Sequence, residues 1–195
     1  MKHTSIKRAL FVAMIAAALP LAAQAADLNY SFLQGGYQAT TFSGLPNAHG
    51  WGVSASGALG SNFQVFGGWA RQDFNNSNAS YDDWNLGGGF HTPINANTDF
   101  VTNVDYRRLN INGVGGDIKV YSGEAGVRSA LAPHFEGWAL AGYEDGHNID
   151  GAVYGKLGAQ YKFGTGESDK GWGLVGEAKF SKDMNTYFIG PRFTF

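Results

Sequence analysis

The sequence predicts an all-β protein: an antiparallel up-and-down barrel of ten strands, with eight as the alternative. Three observations carry this. Apolar and polar residues alternate with period two through nearly the whole chain, the pattern of a strand with two unlike faces. The alternating segments run to 9–15 residues, against about 5–6 for the mean globular strand. No stretch of helical periodicity follows the first 25 residues.

Those first residues are an export address. Lys2, Lys7 and Arg8 precede an apolar run from Ala9 to Leu19, Pro20 breaks it, and Ala23-Gln24-Ala25 gives the small-x-small pattern of a cleavage site. The run is too short for a spanning helix, which takes about 20 apolar residues. Residues 1–25 are therefore read as a cleaved signal peptide and residues 26–195 as one barrel domain. Of the 14 Lys and Arg, three leave with the signal, so 11 face 16 Asp and Glu. That mildly acidic balance speaks against nucleic acid, which wants a basic face. With no cysteine in the chain, thiolate metal sites and disulfides are excluded, and no cofactor is expected. All 29 glycines follow the first 25 residues, and most of them, like most aromatics, lie inside the alternating segments, so the glycine excess marks strands rather than a disordered tract.

In chain order, the segments are 28–41, 51–59, 63–74, 82–92, 98–109, 117–131, 135–145, 151–163, 171–181 and 185–195. The first holds Leu33-Gln34-Gly35-Gly36-Tyr37. In the second, Trp51, Val53, Ala55, Gly57 and Leu59 share a face, and in the third Phe63, Val65, Gly67 and Trp69. Trp84, Leu86, Gly88 and Phe90 do the same in the fourth. The fifth sets Phe100, Thr102, Val104 and Tyr106 against Asn103, Asp105 and Arg107. The sixth sets Tyr121, Gly123, Ala125 and Val127 against Glu124 and Arg128. The seventh is two-faced, since Trp138/Leu140 and Ala139/Tyr143 are both apolar. The eighth carries Lys156. In the ninth, Trp172, Leu174, Gly176, Ala178 and Phe180 oppose Glu177 and Lys179. In the last, Tyr187, Ile189, Phe193 and Phe195 share a face, and Pro191, which cannot donate to a ladder, marks an irregular point.

A soluble barrel turns its apolar face inward and a membrane barrel turns it outward. Strand length, the export signal and the aromatic C-terminus favour the membrane. The charged faces then form a lumen network of Asp105, Arg107, Glu124, Arg128, Lys156, Glu177, Lys179 and Arg192, in which Glu124 and Arg128 are expected to pair. Such charges are costly unless partnered, so the network reads as structural filling. Short connections at 60–62 and 132–134 and a moderate one at 93–97 fall on the side of the termini, read as periplasmic. The connection at 164–170 is long for that side.

The terminal face of Tyr187, Ile189, Phe193 and Phe195 resembles the insertion signal of bacterial outer-membrane barrels, which the assembly machinery reads by strand pairing. Gly35-Gly36-Tyr37, Gly50-Trp51-Gly52-Val53 and Asn62-Phe63-Gln64-Val65-Phe66-Gly67-Gly68 resemble small outer-membrane barrels of plant-associated gammaproteobacteria, a family labelled quorum-sensing-associated or immunity-eliciting. The glycine-rich first strand and Phe-terminated last strand are also similar to OmpX and opacity-type barrels. The resemblance implies a Gram-negative outer-membrane location and no reaction. Expected partners are outer-membrane lipid and lipopolysaccharide, the assembly machinery and periplasmic chaperones, with the barrel a monomer.

Catalysis has one candidate constellation, His147 with Asp145 and Asp150, where an Asp would orient the ring as a general base. No serine stands beside it, and rim loops hold such residues solvated. The four histidines after the signal lack metal spacing. Gly171-Trp172-Gly173-Leu174-Val175-Gly176 matches a dinucleotide motif but lies within a strand, not between strand and helix. The reading is of a non-enzymatic barrel with a structural, surface-interaction or adhesion role. The alternatives are a narrow solute channel, a hydrolase of lipid A or peptides, and a secreted soluble carrier.

Overall fold

A computed structural model of the chain describes residues 28–112, 117–147, 149–163 and 170–195. The expected signal peptide and most of the connection at 164–170 lie outside the described residues. Ten strands follow in order: β1 Phe32–Phe42, β2 Ala48–Leu59, β3 Phe63–Phe74, β4 Ser80–Asn95, β5 Thr98–Ile111, β6 Asp117–Ala132, β7 Phe135–His147, β8 Ile149–Lys162, β9 Gly171–Ser181 and β10 Met184–Thr194. Each pairs antiparallel with its neighbours in sequence, and β10 closes on β1. Ten strands, not eight, make the barrel. Closure leaves no free edge, so every strand finds backbone partners on both sides.

The strands are 11–16 residues long, enough to cross a bilayer at a tilt. Several outrun their expected ends: β2 begins at Ala48, β4 extends from Ser80 to Asn95, and β8 begins at Ile149. On the side of the termini the connections at 60–62, 96–97 and 133–134 are tight. Gly60 adopts φ +69° in one of them, a left-handed conformation that costs glycine nothing.

The closing seam is interrupted. The register of β1 on β10 is constant, yet pairing stops between Gln34↔Arg192 and Tyr37↔Ile189. Phe195 N–H donates to Ser31 O at 3.1 Å, so every second residue back along β10 turns its N–H toward β1. One of these is Pro191, which has none. The result is a missing rung opposite Gly35, without a bulge. Beside it Gly36 and Gly190 draw the two backbones together. A Cβ on Gly36 would stand 2.2 Å from Ile189 O, and one on Gly190 2.1 Å from Gly35 O. The irregular point expected at Pro191 is thus a gap in the ladder.

Candidate functional site

The barrel is inside out. Trp51 is 68% exposed and Val153 72%, whereas Gln72 is 0% and Gln160 1% exposed. Among the described residues the largest fully buried side chains, other than Val175, are Gln72, Gln160, Thr40 and Thr194. Among the described residues, Tyr30, Val101 and Leu140 form a small buried apolar cluster, with Leu28 and Trp138 packed on it. In water this arrangement would forfeit the hydrophobic effect on the wrong face. Within hydrocarbon it is the stable one, since the outer face meets lipid and the polar groups satisfy one another inside.

Two aromatic rings circle the outer wall. Near the termini run Phe63, Phe90, Phe100, Phe135, Tyr161, Trp172 and Phe193. Nearer the far mouth run Tyr37, Trp51, Trp69, Trp84, Tyr106, Tyr121, Tyr143 and Tyr187. Neighbours touch within each ring: Phe63–Phe90 at 5.4 Å and Trp172–Phe193 at 5.2 Å in the first, Tyr106–Tyr121 at 5.2 Å and Tyr37–Trp51 at 5.9 Å in the second. On β3, β4, β5 and β10 the two rings stand six residues apart, Phe63 to Trp69 for example, about 20 Å along a strand at ~3.3 Å per residue. Aliphatic and small residues fill the band between. Paired girdles bounding an apolar band are the imprint of a bilayer.

No family model matches the chain, and no curated protein matches it. Among solved structures it is similar to the β domain of the Bordetella autotransporter BrkA, with TM-score 0.50 and 12% identity, covering 87% of this chain and 100% of that one. It is also similar to the translocator domain of the autotransporter NalP from Neisseria meningitidis (TM-score 0.49, 14% identity, 98% and 96% covered). A third is Ail, the attachment invasion locus protein of Yersinia pestis (0.39, 12%, 87% and 100%). At such identities the first likeness speaks to fold alone, and it agrees with the closed barrel.

The chain is an outer-membrane β-barrel. A bilayer crossed by strands of this length, with a polar interior and no free edge, is the outer membrane of a Gram-negative cell. Tyr187, Ile189, Phe193 and Phe195 all stand exposed on the lipid-facing side of β10, and Phe188 points into the lumen.

All eight residues expected in the lumen line it or are buried there, and the structure arranges them in levels. At the mouth beside the termini, the segment before β1 folds inward. Tyr30 stacks on His91 at 3.7 Å, donates its hydroxyl to Asp99 at 2.8 Å, and carries the Arg128 guanidinium 4.6 Å over its ring. Arg128 donates to Glu136 at 3.1 Å, and Lys162 completes the cluster on the same carboxylate. One level in, Arg192 donates to Gln34 at 2.7 Å and Gln160 at 3.0 Å, between the rings of Phe32 (4.0 Å) and Trp138 (5.1 Å). Trp138 donates its indole N–H to Glu177 at 3.1 Å. At mid-barrel Glu124 holds Lys156 at 2.8 Å and accepts from Tyr154 and Asn103, each at 2.9 Å. Beyond it Lys179 meets Glu144 at 2.6 Å and lies 4.0 Å over the Tyr154 ring. Arg107 meets Asp83 at 3.3 Å, and Asp105 accepts from Ser122. Thr40, Thr186, Gln72 and Tyr81 cap the far end, with Tyr81 donating to Thr40 at 3.2 Å.

One expected pairing does not form. Glu124 and Arg128 face the same lumen but lie four residues apart on one strand, about 13 Å at ~3.3 Å per residue. Each instead takes a partner across the strands, Lys156 for Glu124 and Glu136 for Arg128. Sequence reasoning also missed Asp83, Asp99, Glu136, Glu144, Lys162 and the inserted Tyr30. Glu136 and Glu144 lie on the two-faced strand β7, and their shared parity with Trp138 was the available signal that this face turns inward. His91 is buried under Tyr30.

At the rim, His147 makes no hydrogen bond to Asp145 or Asp150 among the described residues, and Asp145 accepts from the Gly146 N–H at 2.8 Å. His49 Nδ1 pairs with Asn75 at 2.8 Å. No group of potential metal ligands gathers among the described residues. Gly171-Trp172-Gly173 opens β9, a strand paired on both sides, so the glycine motif cradles no phosphate.

Two cavities lie between the capped ends, of about 180 and 200 Å³. Both are lined by Gln34, Ser54, Phe66, Asn85, Lys156 and Glu177.

Proposed function

We propose that this barrel is not an open porin or a hydrolase, and works through its body and exposed surface, in membrane structure, surface interaction or adhesion. The observation that carries this reading is the state of the lumen. An open channel wets inward side chains along its length. Here those near one mouth, Thr40, Ala48, Gln72, Tyr81 and Tyr154, are buried, and so are Tyr30, Gln160, Lys162, Glu136 and Thr194 at the other. Ion pairs at mid-barrel cross-brace the wall between the caps. In this role the outer wall meets lipid and lipopolysaccharide, and the end away from the termini faces outward. The last strand, with Phe195, is what periplasmic chaperones and the assembly machinery handle. Within this reading the chain sides with the barrels of plant-associated gammaproteobacteria that its first three strands resemble.

A second reading, a narrow gated channel, draws support from the adjoining cavities. Planar-bilayer recording of the purified barrel separates the two. Silence is expected, with no steady unitary conductance. Regular open steps from the wild-type protein would instead make it a channel and sink the closed-barrel reading.

A further inference from the structure

Pairing off the inward-facing charges leaves two over. Asp83 takes Arg107, Glu136 takes Arg128 and Lys162, Glu124 takes Lys156, and Glu144 takes Lys179. Asp99 is engaged by Tyr30 and His91, and Asp105 by Ser122. Arg192 and Glu177 remain, neither within 4 Å of an opposite charge among the described residues. Arg192 is 4% exposed and cannot shed its proton. Two of its five N–H donors are spent, both on neutral amide oxygens. Glu177 accepts one hydrogen bond, from Trp138. A buried charge without a counter-charge is costly; Arg192 is such a charge, and the half-buried Glu177 lines the same cavity of about 200 Å³. Trp138 stands between them, its ring under Arg192 and its indole N–H on Glu177.

We propose that this cavity binds a small zwitterion of amino-acid size, its carboxylate on Arg192 and its ammonium on Glu177. A simple anion entering here would face Glu177 and Glu124, and a simple cation would face Arg192, Arg128 and Lys156. A molecule bearing both charges meets a complement at each end through charge-assisted hydrogen bonds, bidentate at the guanidinium fork. The volume equals that of roughly six or seven waters at ~30 Å³ each, the size of a small amino acid. Tyr30, stacked at the neighbouring mouth, guards the entry. This inference does not rest on whether the barrel conducts.

The test follows the Trp138 indole N–H resonance of the folded, ¹⁵N-tryptophan-labelled barrel in detergent, titrated with alanine, acetate and ethylammonium. The expected result is a saturable shift with alanine and affinities at least about tenfold weaker for the two half-molecules. Arg192→Gln and Glu177→Gln should each weaken alanine at least about tenfold while keeping the folded gel mobility. Should Arg192→Gln fail to fold, the three probes on the wild-type barrel decide alone. No saturable shift up to roughly 10 mM, above the millimolar range that a few such bonds supply, overturns the proposal. So does acetate or ethylammonium binding as well as alanine, or a folded variant that binds alanine like the wild type.

Discussion

At mid-barrel, Glu124 accepts from Lys156, Tyr154 and Asn103 at once, so its charge is shared among three strands. Removing one partner of a buried pair typically costs about 3–5 kcal/mol, because the other charge is stranded. Lys156 keeps 22% of its side chain exposed, which sets the expectation at the low end. Glu124→Gln and Lys156→Met are each expected to destabilise the barrel by about 3 kcal/mol in urea unfolding. The double variant should lose about 1–3 kcal/mol less than the sum of the singles. The same cycle on Glu124 and Arg128, which serve different partners, should be additive to within about 0.5 kcal/mol. Strong coupling there, or none between Glu124 and Lys156, would contradict the observed pairing. The inward direction of these residues was readable from period two alone. Their partners were not, since Lys179 reaches Glu144 from 35 positions away and Arg192 reaches Gln34 from 158, distances that only register resolves.

The last strand joins two demands on one element. Its outward face carries Tyr187, Ile189, Phe193 and Phe195, while Phe188 turns inward. Phe195→Ala is therefore expected to lower outer-membrane yield several-fold at matched expression, and Phe188→Ala to leave targeting intact at the cost of local packing. Equal assembly of the two variants would remove the final strand as the insertion signal. The same strand carries the gap at Pro191. Pro191→Val restores an N–H opposite Gly35 O and should raise stability by about 1 kcal/mol, the net worth of one hydrogen bond. A drop in the urea midpoint would mean that the gap serves packing rather than breaking the ladder. Faces were legible wherever one side was charged, as on β5, β6 and β9. On β7 an inward Trp138 imitated a lipid-facing residue and blurred them. Strand ends were less legible, because Ala48-His49-Gly50 and Pro93-Ile94-Asn95 continue the ladder without a clear apolar–polar alternation. The girdle spacing of six residues was present in the sequence, and only the register showed it to be a ring.

As a whole, the molecule has no edge from which unfolding can start, and most of its inward charges are paired across strands. Folded barrel should therefore survive dodecyl sulfate at room temperature and run faster on a gel unheated than after boiling. Identical mobility before and after heating would count against a closed barrel. Architecture and location were legible because a membrane imposes its thickness and polarity on every strand. The closed lumen was not, since it depends on which side chains meet across the barrel and on Tyr30, a residue ahead of the first strand. The even strand number has a practical consequence. It returns both ends of the barrel to one mouth, where the Asn29 side chain already donates to the Phe195 carbonyl at 3.0 Å. A short linker could join the ends, and a new opening cut in the turn at 75–79 would yield a permuted chain whose termini emerge at the opposite mouth. A peptide fused to either end of the natural order stays on the side where the chain already ends. A peptide placed in the permuted order would be displayed across the bilayer, with all ten strands kept in register.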